Sequence, residues 1–337
     1  MSTAIPSSAP ATYRCACCGG DRKAGEHLAR ERMYGDDISF RYAECADCGT
    51  LQLLDPPADM GWYYREPYIS WQEVPAYVDQ RLSAFSRLLR GWRFADRLGR
   101  FNPVGRIARH AFGEPEFPFP LTWFEHSKAG PGARIFDFGC GSARVLKYLR
   151  YNGYRHLHGH DRYMRKQTSL PGLELTAEIP SRLAAQCDLV MAHHSLEHLD
   201  RPFEGVQELK RLLKPGATLL IRVPVAQSHA WRQYGTSWVQ LDAPRHQVLP
   251  SEQGMRRMLE RAGLSLTRVD YDSSAFQFVG SEQYLLDIPL FDPQRSFVAG
   301  HNPDLFSAKQ RADWAQLAQR LNEQGDGDQA CFYARLS

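Results

Sequence analysis

Residues 134–161, RIFDFGCGSARVLKYLRYNGYRHLHGHD, constrain the fold more than any other stretch. They read as a strand over Arg134–Phe138, a turn at Gly139 and Gly141, a helix from about Arg144, and a second strand closed by Asp161, twenty residues past Gly141. Glycine reaches backbone angles closed to other residues and lets a ligand lie against the main chain. The helix that follows points unpaired amides at that ligand, and Asp161 falls where a carboxylate accepts ribose hydroxyls. The layout predicts a nucleotide-type cofactor site at the start of a doubly wound sheet.

The turn discriminates between cofactors. A dinucleotide fingerprint needs a small last residue so that helix and strand pack closely, and here that position is Arg144. NAD is therefore disfavoured. DFGCGSA instead resembles motif I of the class I S-adenosylmethionine-dependent methyltransferases, with small residues Gly139, Gly141 and Ala143 at alternate positions. A second block, CDLVMAHHSLEHLDRPFEGVQELKRLLKPGATLLIRVP from Cys187, resembles the fourth strand, fourth helix and fifth strand of that family. Phe203, Val206, Leu209, Leu212 and Leu213 recur at helical spacing, and Pro215 and Gly216 are expected to stop the helix.

The resemblance implies an α/β fold with a Rossmann-like seven-stranded sheet over residues 131–337. Gln329–Leu336 is expected to supply the last antiparallel strand, and a mostly helical insertion is expected at about 281–325. It also implies S-adenosyl-L-methionine as cofactor. Asp137 is expected to organise the turn, Gly139, Cys140 and Gly141 to contact the amino-acid portion, Asp161 the ribose, Arg162 or Tyr163 the adenine edge, and His193 the pocket through its backbone.

Five of the eight cysteines fall within the first fifty residues. Cys15–Cys18 and Cys45–Cys48 form two Cys-x-x-Cys-Gly turns separated by 26 residues. Such knuckles converge four thiolates, a set that suits zinc, and four thiolates leave no open coordination position, so the metal is expected to be structural. Cys17 is either a replacement for Cys15 or Cys18 in this set or a spare thiol. The domain plan that results is a flexible tail (1–14), a zinc ribbon (15–57), a helical linker or lid (58–130) and the class I domain (131–337). The combination resembles bacterial methyltransferases with an amino-terminal zinc-binding domain, among them sugar C-methyltransferases and relatives encoded with polysaccharide enzymes.

Methyl transfer needs an aligned nucleophile and a base for its proton. His194, His198 and His246 are the candidate imidazoles, with Glu197 to orient or replace them. Some relatives with a similar Glu-His pair hold a divalent cation there, but the additional acid those sites use is missing. Arg245 is expected to face a substrate phosphate or carboxylate, and Tyr234 and Trp238 to wall the pocket.

A net charge of +3, spread along the chain, gives no strong footprint for nucleic acid. No apolar run has the length of a membrane span, and MSTAIPSSAPATYR lacks the core of a secretion signal, so a cytoplasmic protein is expected. The expected substrate is a small molecule, a sugar nucleotide or glycan precursor. The alternatives are an RNA methyltransferase with a zinc module and an inactive zinc-containing scaffold.

Overall fold

The computed structural model describes residues 13–65, 75, 78, 82–164 and 167–337. Most of the expected tail, and part of the expected lid, lie outside the described residues.

The amino-terminal part is a small antiparallel sheet of β1 (Lys23–Arg30), β2 (Ser39–Cys45) and β3 (Leu51–Leu53). Helices α1 (Ala84–Arg97), α2 (Pro103–Phe112) and α3 (Thr122–Ser127) follow. Ser83 and Asn102 cap the first two through side-chain oxygens, and Pro103 opens α2 where a missing N–H costs nothing.

The main sheet begins at β4 (Arg134–Phe138), followed by α4 (Arg144–Tyr151), β5 (His156–His160), the short β6 (Thr168–Leu170), β7 (Leu173–Thr176) and β8 (Cys187–His193). Next come α5 (Pro202–Lys210), β9 (Leu213–Pro224), α6 (His229–Tyr234), β10 (Val248–Leu249), α7 (Glu252–Arg261), β11 (Leu264–Tyr271), α8 (Phe276–Leu285), α9 (Ala308–Glu323) and β12 (Gln329–Leu336). Strand order is β11-β12-β9-β8-β4-β5-β7-β6. The five strands from β9 to β7 run parallel, and β12 pairs antiparallel with both β9 and β11. The fold is therefore mixed α/β with a mostly parallel central sheet. It has eight strands rather than seven, because β6 folds back antiparallel on β7 at the edge.

Parallel strands covered on both faces read as apolar runs, as in Ile135, Phe136, Leu189, Val190, Leu219, Leu220 and Ile221, all fully buried. Helix α5 stops at Lys210, before Pro215 and Gly216, which fall inside β9. Leu213 pairs with Cys187 across the sheet, so burial in the ladder overrides the helical spacing of Leu212 and Leu213. Between α8 and α9, residues 286–307 form turns.

One connection matters for the site. Strand β10 leaves the main sheet and pairs antiparallel with β3, as Val248 with Gln52 and Leu249 with Leu51. The cysteine-bearing part is thereby joined by backbone hydrogen bonds to the segment that carries His246.

Candidate functional site

The ends of β4, β5 and β8 meet where the strand order reverses, the usual place for a ligand in an open α/β sheet. Gly139 has φ +67°, and a Cβ there would lie 2.5 Å from Cβ of Ser195, so the turn admits only glycine. Asp161 holds the turn from the next strand: its Oδ2 accepts from Gly141 N–H at 3.0 Å and its Oδ1 from Tyr163 N–H at 2.9 Å. A carboxylate has acceptor capacity beyond these two bonds, so Asp161 can still receive hydroxyls. Cys140 donates its N–H to the His160 carbonyl at 2.9 Å, and burial pushes its thiol well up, which argues against a nucleophile. Arg162 is exposed beside the Tyr163 ring.

Asp137 is buried at the end of β4. Burial, aided by the nearby Asp161 carboxylate, pushes its carboxyl up to about 8. His193 ends β8 with its ring 4.1 Å from that of Trp123, and burial followed by the charge of Arg222 pushes it well below the usual histidine range.

The HHSLEH segment turns sharply after β8. His194 takes φ +48°, and its two ring nitrogens are both engaged. Arg222 Nη1 lies 2.6 Å from Nε2, and a guanidinium can only donate, so Nε2 accepts and Nδ1 donates to Glu197 Oε1 at 3.1 Å. Arg222 is itself held by Asp272 at 2.7 Å. His194, expected as a candidate base, therefore has no ring nitrogen left for a substrate. The sequence carried a faint sign of this network, since Arg222 is a lone charge in the apolar run LLIRVP.

The other two imidazoles face the same carboxylate. His198 Nδ1 lies 2.9 Å from the Arg245 carbonyl, with the Tyr64 hydroxyl at 3.1 Å from the same nitrogen. His246 Nδ1 lies 2.7 Å from the Gln240 carbonyl. Its Nε2 is 4.0 Å from Glu197 Oε1, and the His198 and His246 rings are 4.7 Å apart. Burial raises the Glu197 carboxyl, but the His194 hydrogen bond and the surrounding imidazoles outweigh it and leave the group at about 2. Burial, then His246, pushes His198 down.

Several residues with no sequence signal build this cluster. Gln247 N–H donates to the Glu197 carbonyl at 2.7 Å, its side chain donates to the His198 carbonyl at 2.7 Å, and its own carbonyl accepts from Leu53 N–H at 2.8 Å. The Tyr42 hydroxyl donates to the His246 carbonyl at 2.8 Å.

Three expected substrate contacts are placed elsewhere. Arg245 is fully buried and faces Glu31 at 2.8 Å and Asp242 at 2.6 Å rather than an open pocket. Trp238 is fully buried, its indole N–H given to Asp328 at 2.9 Å, because a large aromatic with a satisfied donor gains most in the core. Tyr234 is buried and donates to Glu282 at 2.8 Å.

The amino-terminal cysteines converge. Ligand atoms of Cys15, Cys18, Cys45 and Cys48 all lie within 4.8 Å of one another. The Cys15–Cys48 and Cys18–Cys45 sulfurs are each 3.6 Å apart. A tetrahedron of bonds about 2.3 Å long has edges of about 3.8 Å, so the set fits zinc. Cys17 is fully buried beside it and outside the set. An open cleft of about 490 Å³ beside this knuckle, lined by Gly49, Gln227, Ser251, Glu252 and Asp326 among others, includes none of the residues of the glycine turn.

Residues 112–269 match a family described as a methyltransferase domain. No curated protein sequence matches the chain. Among solved structures it is similar to the [4+2]-cyclase SpnF (14% identity, 74% of this chain and 96% of that one, TM-score 0.42). It is also similar to a chain in the complex of the Haloferax volcanii Trm112 methyltransferase activator with a methyltransferase (18%, 73% and 96%, TM-score 0.41). A third is the Burkholderia thailandensis 1,6-didemethyltoxoflavin-N1-methyltransferase (13%, 79% and 98%, TM-score 0.38). The family match falls on the segment that carries the glycine turn, Asp161 and the HHSLEH cluster, so this part of the chain is a methyltransferase domain.

Proposed function

We propose that the enzyme methylates a carbon or oxygen of a small molecule, a sugar nucleotide or related glycan precursor. The observation that carries this reading is the convergence of Glu197, His198 and His246 beside the glycine turn, on a segment held by the cysteine-bearing module. S-adenosylmethionine supplies, when bound, an electrophilic methyl on a sulfonium. The chain's own part is to position and to move a proton. Asp137, Gly139, Cys140, Gly141, Asp161, Arg162 and the His193 backbone hold the cofactor. His198 or His246 takes the proton of the nucleophile at Nε2, with Glu197 stabilising the imidazolium that forms. His194 is a positioning residue, held by Arg222.

Cys15, Cys18, Cys45 and Cys48 hold a structural zinc, which fixes the knuckles and through them β3 and β10. The working division is tail 1–14, zinc ribbon 15–57, lid 58–130 and catalytic domain 131–337, in a cytoplasm that keeps the thiols reduced. No described helix is long and apolar enough to cross a membrane.

The test is incubation of the zinc-loaded protein with methyl-labelled cofactor and a panel of nucleotide-linked sugars, alongside RNA. Label in a sugar product supports the reading. Label in RNA alone replaces the substrate class, and label in neither, despite cofactor binding, removes it.

A further inference from the structure

We propose that helix α2 and the turn ahead of it form a docking surface for an anionic lipid bilayer, on which the protein rests peripherally. Six of the twelve strongly exposed large apolar side chains among the described residues fall between Phe85 and Phe112. Four of them, Phe101, Val104, Ile107 and Phe112, lie within twelve residues of one another, with Phe101 91% and Ile107 70% exposed.

A surface helix ordinarily turns its large apolar side chains to the core, and α2 does the reverse. Gly105 and Ala108 face inward, and a Cβ on Gly105 would collide with the Trp92 carbonyl oxygen, so only the smallest residue fits against α1. Val104, Ile107 and Ala111 recur at i, i+3 and i+7 on the solvent side. The two helices are held stiffly together: Arg109 Nε lies 2.7 Å from Asp96 Oδ2, and Arg93 donates to the Phe112 carbonyl at 3.0 Å. A surface fixed in this way loses little freedom on docking.

Charge selects the partner. From residue 84 to residue 116 the chain carries seven arginines against three acids, Asp96, Glu114 and Glu116, an excess of +4 in a chain whose net charge is +3. Arg106, beside Ile107, has a side chain 66% exposed and stands 3.7 Å from Asp96, which Arg109 already holds. A second copy of this hairpin would set like charge against like charge, and a nucleic acid gains nothing from the aliphatic Val104 and Ile107. An anionic bilayer answers both features: the apolar side chains enter the acyl boundary, while the arginines lay down their stems and meet lipid phosphates. Helix α1 rests through Gly91 on Pro131 and Gly153, just ahead of β4 and β5. Of residues 58–130, α1 and α2 are therefore the part at the opposite end of these strands from the glycine turn, and docking there leaves the cofactor site open.

Flotation of the zinc-loaded full chain with vesicles tests the surface, one set made of phosphatidylcholine with phosphatidylglycerol and one of phosphatidylcholine alone. Binding is expected to the first set only, and is expected to weaken as salt rises. Arg106→Gln should lower vesicle affinity about fivefold and Ile107→Asp at least about tenfold, with circular dichroism and melting temperature as in wild type. Both positions are exposed, and the pair keeps the test open if one variant misfolds. No flotation with the phosphatidylglycerol vesicles, or flotation unchanged in both folded variants, overturns the proposal. RNA binding, or self-association in ultracentrifugation, that Ile107→Asp abolishes and that occurs without flotation also overturns it, and assigns the surface to a nucleic acid or to a second copy of the chain.

Discussion

Arg245 Nη2 lies 2.8 Å from Glu31 Oε1, with both side chains fully buried, although 214 residues separate them. Glu31 also accepts the backbone N–H groups of Met33, Tyr34, Gly35 and Asp36, so one carboxylate closes the β1–β2 loop and fastens it to the His246 segment. Asp242 takes the other edge of the guanidinium.

Removing one partner of a buried ionic cluster leaves uncompensated charge. Arg245→Met should therefore destabilise the protein by about 3–5 kcal/mol, read by chemical denaturation. Arg245→Lys should not restore it, because an ammonium cannot fork between two carboxylates. A loss below about 1 kcal/mol for both variants would show that the cluster does not hold the two parts together.

Asp137 gives a pH signature. In the free protein its carboxyl stays protonated up to about 8, and pairing with the cofactor's ammonium requires ionisation. Affinity should rise about tenfold per pH unit up to about pH 8 and then level, with a proton released on binding. Asp137→Asn should flatten the profile. The stability sign is opposite. The folded value is above the unfolded 3.8, so the carboxyl's contribution to stability is present at low pH and is lost as pH rises toward about 8. Calorimetry in buffers of different ionisation enthalpy measures the proton release.

Gly139→Ala tests the turn. The φ of +67° and the 2.5 Å approach to Ser195 Cβ act together. Backbone strain of about 1–3 kcal/mol adds to the steric cost, so cofactor affinity should fall at least about tenfold. Gly139→Ala with Ser195→Gly should recover only the steric part. Full recovery would show that the backbone angle is not at issue.

Zinc removal should be felt at the Glu197, His198 and His246 cluster before the glycine turn. Leu53 N–H donates to Gln247 O at 2.8 Å, and the Ser251 hydroxyl donates to the Cys48 carbonyl. Chelation is expected to release hydrogen-exchange protection at residues 246–249 while β4 and β5 keep theirs. Loss confined to residues 15–53 would show that the knuckles do not support the His246 segment.

The sequence was most legible where the chemistry is local. The β4–turn–α4 unit, Asp161 and the two knuckles each lie within a short stretch, and the residue types needed at each position are few. The partners that finish the site are not local. Glu31 to Arg245, Tyr42 to His246, Tyr64 to His198 and Arg222 to His194 join segments 28 to 214 residues apart, and no spacing rule pairs them. For the same reason Arg245 and Trp238 read as pocket residues. A charged or aromatic side chain looks available until its buried acid, Glu31 or Asp328, is brought to it by the fold. The end of α5 was misleading because Leu212 and Leu213 satisfy helical spacing as well as a place beside β8.

Calorimetric titration of the zinc-loaded protein with S-adenosylmethionine, with Asp161→Ala beside it, tests most directly whether the glycine turn and Asp161 hold the cofactor. The expected result is micromolar or tighter binding, weakened by about 2 kcal/mol in the variant through loss of charged hydrogen bonds to the ribose. A folded wild-type protein that binds no S-adenosylmethionine, or a variant that binds it as well as wild type, would contradict it.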